Sequence, residues 1–222
     1  KPTVLKHLFI FILTTVTLSF ALEAANVPGY IIKNSSDTVW GEIKVSPFSR
    51  IKGSFNLNGP ETGSYYFGVV FRENSDSDFV TYYPASLQGF SFQYKSAQYH
   101  FCRFTLNYKS IVVSEKKRDQ FLCLLYRDTN YELYRNVIVD PNNGLMSVPD
   151  QWLQYTIYYL FSPAKGIVKV EKSRQYKNLG ALLTAYDFEA QFVAQLDKST
   201  DFVDIMDVLK RYSSWLKINK KQ

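Results

Sequence analysis

Histidine is scarce in this 222-residue chain, and its scarcity limits the chemistry that the protein can perform. The two histidines are His7 and His100. A Ser-His-acid triad uses an imidazole as its general base, and no Gly-x-Ser-x-Gly sequence accompanies either one. His100 lies between Tyr99 and Phe101 in an alternating segment, a pattern typical of a strand histidine that is hydrogen-bonded or solvated. The sequence therefore gives no indication of a histidine-based triad.

The glycine-rich sequences that hold nucleotide phosphates are also missing. Neither Gly-x-Gly-x-x-Gly nor Gly-x-x-x-x-Gly-Lys-Ser/Thr occurs in the chain. Cys102, Cys123 and His100 alone make a poor set of zinc ligands, because structural zinc takes four. We therefore expect no cofactor and no metal. The formal net charge of +6 is a mild excess that suits an anionic surface but does not require nucleic acid, and we expect no nucleic-acid partner.

Cysteine is equally scarce, with Cys102 and Cys123 as the two representatives. Each lies in an apolar, strand-like run, so the two side chains could meet across neighbouring strands. In an exported chain such a pair can form a disulfide. The alternative is a pair of buried thiols that pack as small apolar groups. Spacing alone leaves both alternatives open, because it does not give the distance between the two residues.

The first 25 residues have the layout of a secretory signal peptide. Lys6 and His7 give a basic start, and an unbroken apolar run follows at Leu8–Leu13. The small residues that suit cleavage lie at Ala21, Ala24 and Ala25. We therefore expect an exported protein, periplasmic or associated with the envelope, with no transmembrane span in the mature chain. The alternative is an uncleaved anchor helix, because a membrane span needs about 20 predominantly apolar residues and this run approaches that length.

The rest of the chain has the composition of a globular protein rich in strands. Aromatic residues make up 17% of the sequence, with 17 Tyr and 17 Phe, and their flat rings favour the pleated surface of a sheet. Short alternating segments separated by turns predict a strand-rich region over 29–170. It opens with a hairpin of Gly29–Lys33 and Thr38–Val45, in which Trp40 lies on the face opposite Ile43.

Three further features of the strand-rich region are predicted from local pattern. Ser64–Arg72 is expected to form a strongly aromatic strand, and Val112–Arg118 a polar loop. A second hairpin is expected around the turn Asp128–Asn130, because these residue types favour tight turns.

The hydrophobic period changes to that of a helix over residues 174–217. Helices are predicted at Tyr176–Tyr186, Phe188–Leu196 and Asp201–Leu216, the last capped by Ser199, Thr200 or Asp201. Strands followed by helices indicate an α+β fold, in which an antiparallel, aromatic-rich β-sheet, or a partly open barrel or sandwich, packs with two or three C-terminal helices. We see no repeat and no linker, and therefore predict one domain over residues 26–222.

Exposed aromatic side chains and paired carboxylates are the remaining candidates for function. Alternation along each aromatic run turns about half of the rings outward, and the outward set that we predict as candidates to bind a ligand is Tyr66, Tyr82 and Tyr158. The alternative, which the composition favours, is that these rings too pack against the C-terminal helices. Carboxylate pairs can hydrolyse a bond by general acid and base catalysis. The candidate pairs are Asp76 with Asp78, more typical of a solvated turn, and Glu132 with Asp128.

Several segments resemble a family of exported proteins of Bacteroidota to which no activity is assigned. Gly29–Val45 is similar to the opening of that family, Gly-Tyr-Ile-x-x-Asn-x-x-Asp-Thr-x-x-Gly-x-Ile, except that Ser36 stands in place of a turn glycine before Asp37. The other similar segments are Tyr83–Phe90, Phe121–Leu125 with Tyr131–Tyr134, and the helical end with Leu179, Leu182, Leu183 and Leu209–Tyr212. The resemblance implies an envelope protein that is periplasmic or faces the periplasm, and it brings no cofactor or catalytic residue.

These observations favour a non-enzymatic binding or structural module of the cell envelope, whose partner is an envelope protein or a polysaccharide. The lack of a catalytic set argues against an enzyme without excluding one. A carboxylate-based hydrolase and a membrane-inserted or anchored envelope protein remain the alternatives.

Overall fold

The computed structural model describes residues 25–45, 48–49, 54–55, 60, 62–108, 116–140, 153–197 and 199–219. The predicted signal peptide lies outside the described residues, apart from Ala25, which begins the first strand. The chain divides into two compact units, Lys1–Phe121 and Leu122–Gln222. The predicted single domain over 26–222 stays a prediction.

The first unit is an antiparallel, aromatic-rich sheet. Its strands are β1 (Ala25–Lys33), β2 (Thr38–Val45), β3 (Phe48–Ser49), β4 (Ser54–Phe55), β5 (Val69–Arg72), β6 (Val80–Tyr82), β7 (Leu87–Tyr94), β8 (Ala97–Tyr108) and the start of β9 (Lys116–Arg127). They lie in the order β9-β8-β7-β1-β2-β5-β6, with β3 and β4 forming a separate pair. The predicted first hairpin is confirmed by the pairing of β1 with β2 in register from Ala25 with Val45 to Ile32 with Thr38.

Phenylalanine rings fill the buried side of this sheet. Phe90 and Phe101 face each other across β7 and β8 with their ring centroids 4.5 Å apart and nearly parallel. Tyr65 packs over both rings from a short 3₁₀ helix, η1 (Thr62–Tyr65). Its burial raises the pKa of the Tyr65 hydroxyl well above its usual value.

Two predictions in the first unit are wrong. The predicted strand Ser64–Arg72 is a 3₁₀ turn up to Tyr65 and a strand only from Val69, because the turn brings Tyr65 onto the rings of the sheet instead of extending the chain. The predicted loop Val112–Arg118 lies partly outside the described residues, but Lys116–Arg118 belong to β9. A second 3₁₀ helix, η2 (Pro84–Ser86), leads into β7.

The second unit carries a smaller antiparallel sheet with helices packed against it. It contains the end of β9, then β10 (Glu132–Asp140), β11 (Leu153–Ser162) and β12 (Gly166–Lys169), in that order. The pairing of β9 with β10 around Asp128–Asn130 confirms the second predicted hairpin. The helices that follow are α1 (Leu179–Ala185), α2 (Ala190–Val193), the 3₁₀ helix η3 (Phe202–Asp204) and α3 (Ile205–Asn219).

The apolar stripe of α3 packs on the core of the second unit through Ile205, Val208, Leu209 and Tyr212, as the helical period predicts. Asp201 caps this segment: its carboxylate accepts the backbone N–H of Phe202, and the Asp204 carboxylate accepts the N–H of Asp201. Of the three caps considered, Asp201 is therefore the one used.

The described residues are mainly β, so the α+β class is confirmed only in part. The α-helices among them lie between Leu179 and Asn219. Within the described part of the chain, none of the helices has the length and apolar character needed to span a bilayer.

Candidate binding face

The outward side of β2 carries an unusual combination of side chains for a strand. Val39, Gly41, Ile43 and Val45 turn toward the core, and the alternate residues Trp40, Glu42 and Lys44 turn away from it. Trp40 is 68% exposed although it lies within a regular strand. A tryptophan side chain is usually largely buried because it is large and apolar. An exposed tryptophan is therefore an informative exception.

A neighbouring ring holds Trp40 in place on this surface. Tyr30 lies directly opposite Trp40 in the β1–β2 pair, and the two ring centroids are 4.9 Å apart at an interplanar angle of 58°. Cross-strand aromatic pairs of this kind stabilise a sheet and restrict the rotamers of both rings. Most of the Trp40 side chain remains open to solvent.

An ionic cluster lies beside the two rings. Arg72, on β5, donates from Nε and Nη2 to the same oxygen of Glu42, at 2.8 and 2.6 Å. The Arg72 guanidinium is 4.6 Å, and the Lys44 ammonium 5.7 Å, from the centroid of the Phe79 ring, so that one aromatic ring holds two cations. We call the surface formed by these six side chains the Trp40 face: Tyr30, Trp40, Glu42, Lys44, Arg72 and Phe79.

The same side of the sheet continues beyond the Trp40 face as a row of paired residues, in which Ser91 is buried. Trp40 pairs with Tyr30, Tyr30 with Ser91, and Ser91 with His100. Strands lie about 4.8 Å apart, so the row spans about 14 Å over four strands. Gln98 donates to the Ser91 hydroxyl at 2.7 Å and adds a polar group beside the row. His100 is half-buried here, as expected for a strand histidine.

The three aromatic residues predicted to bind a ligand do not belong to this face. Tyr66 is 1% exposed, and the prediction that it faces outward is wrong, because it follows the 3₁₀ turn of η1 and strand alternation does not apply there. Tyr82 is half-buried and contacts the core ring of Phe71 edge-on. Tyr158 is half-buried and packs against the core of the second unit.

The two cysteines lie in regular strands. Cys102 is half-buried in β8 of the first unit, and Cys123 is buried in β9 of the second. The structure contains both as thiols, and the disulfide stays a prediction.

Two of the candidate carboxylates, Asp128 and Glu132, have a local structural role. Asp128 accepts the backbone N–H groups of Asn130 and Tyr131, both at 2.8 Å, and so fixes the second hairpin turn. Glu132 binds Arg127 at 2.5 Å and accepts the hydroxyl of Tyr134. Asp76 and Asp78 are exposed near a turn whose backbone N–H at Asp76 bonds to Asn74. The described residues contain no group of three or more His, Cys, Asp or Glu side chains that could hold a metal ion.

Sequence reasoning placed Trp40 on the outer side of β2 and still did not select it as a binding residue. The selection followed the density of aromatic residues, which is highest where rings pack in a core. The useful signal is the alternation Trp40-x-Glu42-x-Lys44. An aromatic residue that shares a strand face with two charged residues must point toward solvent, because those charges are costly to bury.

Comparison of the chain with protein-family models finds no match, and neither does comparison with functionally characterised proteins or with solved structures.

Proposed function

We propose that this chain is a non-enzymatic binding module of the cell envelope, and that the Trp40 face binds an envelope polysaccharide. The observation that supports the proposal best is the exposed indole of Trp40, held by Tyr30 within a regular strand. Rigid aromatic side chains lose little conformational entropy on binding, and they are enriched among the residues that dominate binding energy.

The chemistry of the face fits a sugar polymer. The C–H face of a sugar ring is apolar and can stack on the exposed indole. Sugar hydroxyls can bond to Glu42 and Arg72 at the side of the rings, since the Glu42 side chain is 37% and the Arg72 side chain 21% exposed. The six side chains of the Trp40 face lie on the surface of a sheet, which suits a sugar polymer better than it suits a small molecule, because a small molecule prefers a concave pocket.

The envelope location rests on the predicted signal peptide and on the resemblance to exported proteins of Bacteroidota. Two segments that carry the resemblance meet in space. Asn34 donates to Ala85 O at 2.9 Å, and Gln88 donates to Asn34 O at 3.1 Å. Ser36, which stands in place of the turn glycine of that family, has φ 69°, a left-handed conformation that favours glycine. The finer α+β description, with C-terminal helices packed on a barrel or sandwich, belongs to the same proposal.

Titration of the protein with soluble fractions of bacterial envelope polysaccharides, followed by calorimetry, tests the proposal. We expect Trp40→Ala to weaken binding by about 2 kcal/mol, roughly 30-fold, as for a central aromatic contact. Tyr83→Ala is the matched control, because Tyr83 is 61% exposed and lies outside the Trp40 face. It should leave the affinity unchanged.

Two results would contradict the proposal. One is that Trp40→Ala and Tyr83→Ala weaken polysaccharide binding equally, which would show that the Trp40 face is not the specific binding surface. The other is shortening of the polysaccharide by the wild-type protein that Glu132→Gln abolishes, which would favour the carboxylate-based hydrolase.

A further inference from the structure

The outward side of α3, in its C-terminal half, combines exposed cations with an exposed apolar residue. Ile218 is 72% exposed. Arg211 lies seven residues before Ile218, and Ser214 four residues before it, so all three share one side of the helix. Lys217 is exposed on the flank of this side. The opposite side of the helix holds the buried stripe that includes Leu209.

Charge is distributed unevenly along α3. Asp204 directly precedes the helix and Asp207 lies in its first turn, where Asp207 is 3.9 Å from Lys210. Among the described residues, no acid forms an ion pair with Arg211 or Lys217. Cations at the C-terminal end stabilise a helix by complementing its dipole. That effect accounts for the charges but not for an isoleucine exposed among them.

A shallow cleft lies beside these residues and provides an apolar surface. It has a volume of about 400 Å³ and lies between α2 and α3, with Phe192 and Trp215 on its apolar side and Arg211 on its rim. Trp215 is half-buried, and its ring centroid is 6.0 Å from that of Phe192. The indole is therefore anchored on the protein while part of it stays exposed beside Ile218.

We propose that the C-terminal half of α3 docks on the surface of an anionic phospholipid bilayer. Arg211 and Lys217 bind the lipid phosphates, Ile218 enters the boundary of the acyl chains, and Trp215 lies at headgroup depth. Basic and apolar residues on an exposed helix surface are the features of interfacial helices, and tryptophan prefers this boundary because it is both apolar and polar. The positive charge of this region complements the negative surface of an anionic bilayer, whereas an uncharged partner would offer no such attraction. The proposal is independent of the Trp40 face.

The test uses the full chain with Trp40→Phe and Trp152→Phe, so that Trp215 is the remaining tryptophan. Its emission is followed with phosphatidylcholine vesicles and with vesicles that contain about 25% phosphatidylglycerol. We expect a blue shift and quenching by brominated lipid with the anionic vesicles alone. Both should disappear at about 1 M salt, where the Debye length falls to about 3 Å.

Charge reversal identifies the surface. A surface cation is worth about fivefold in partitioning onto an anionic membrane, so Arg211→Glu with Lys217→Glu should lower partitioning at least about tenfold. The matched control is Lys172→Glu with Lys177→Glu, two exposed lysines of the same unit outside α3, which should change it by about twofold at most. Arg211→Lys with Lys217→Arg keeps the charge and should keep the binding, whether or not the reversal variant is well folded.

The proposal is overturned if Trp215 responds equally to neutral and anionic vesicles. It is also overturned if the control pair lowers partitioning as much as the α3 pair, or if the charge-conserving variant fails to bind. Binding of a soluble anionic polymer such as heparin, without a response to anionic vesicles, would replace the bilayer by another partner.

Discussion

The Phe71 ring lies directly over Gly41, in the space that a side chain at that position would occupy. A Cβ atom built on Gly41 would be 2.7 Å from Phe71 Cζ and 2.1 Å from the carbonyl oxygen of Arg72. Gly41 pairs with Gly29 across the hairpin, and the side chains of Phe71 and Ile43 fill the space that the two glycines leave on that face. The glycine is needed for this close approach.

Replacing Gly41 by alanine should therefore destabilise the protein. We expect Gly41→Ala to lower the free energy of unfolding by about 3 kcal/mol, because the rigid backbone of β5 must move to admit the methyl group. Unfolding in urea, followed by circular dichroism, measures the change. Gly180→Ala is the control: its new Cβ would be 3.5 Å from its nearest neighbours, an ordinary contact, and alanine favours a helix by about 1 kcal/mol. Equal stability of Gly41→Ala and the wild type would contradict the close approach.

The buried tyrosines of the second unit should make its stability fall at alkaline pH. Tyr131 donates its hydroxyl to Tyr186 O at 2.9 Å. Burial raises the pKa of Tyr186 from 10 to about 12, and burial raises that of Tyr131 well above its usual value. Because the folded-state pKa lies above the unfolded value, the protonated phenols stabilise the folded state. This contribution is complete below pH 10 and is lost as the pH rises toward 12.

The free energy of unfolding measured across this range checks the prediction. Tyr131→Phe removes one of the two groups and should make the decline shallower. It should also cost about 1 kcal/mol at neutral pH, because Tyr186 O loses its donor. A stability that stays constant between pH 10 and 12 would show that the phenols titrate alike in both states.

Asp197 should titrate at a lower pH than an ordinary aspartate. Its carboxylate accepts the backbone N–H of Ser199 at 2.8 Å and the Ser199 hydroxyl at 2.9 Å, and these bonds hold its pKa below 3.8. The contribution of these two hydrogen bonds to the stability of the folded state is present above pH 3.8, and it is lost as the pH falls through the folded-state pKa of Asp197. Ser199→Ala removes the hydroxyl and keeps the backbone donor, so the pKa of Asp197 should rise and remain below 3.8.

Carboxyl-carbon NMR titration measures this value directly. Ser214→Ala is the control, because its hydroxyl donates to Lys210 O and does not touch Asp197. A wild-type Asp197 that titrates at or above 3.8 would rule out the turn geometry.

Local sequence pattern predicts the elements that depend on interactions between residues close together in the sequence. The hairpin turns at Asn34–Asp37 and Asp128–Asn130 follow from residue types that favour tight turns, and in the second turn the Asp128 carboxylate accepts the backbone N–H of Asn130. The Asp201 cap and the apolar stripe of α3 follow from helical spacing. Tyr66 was placed wrongly because η1 is stabilised by long-range contacts: the N–H of Phe121 donates to Tyr66 O at 3.0 Å, a contact that no window of sequence contains.

The Trp40 face was predictable in one respect and not in another. The outward position of Trp40 follows from alternation along β2. The side chains that surround Trp40 do not follow from alternation. The pairing with Tyr30, the bond from Arg72 to Glu42 and the position of Phe79 depend on strand order and register.

The two sides of β2 differ in how well they tolerate substitution. The inward side must keep Gly41 beneath Phe71, so substitution there costs the fold. Trp40, Glu42 and Lys44 point away from that core, so substitution there affects contacts on the surface of the sheet and leaves the packing of Phe71 on Gly41 intact. The chemistry of the outward surface can therefore change through three alternate positions of one strand while the core side of that strand stays the same.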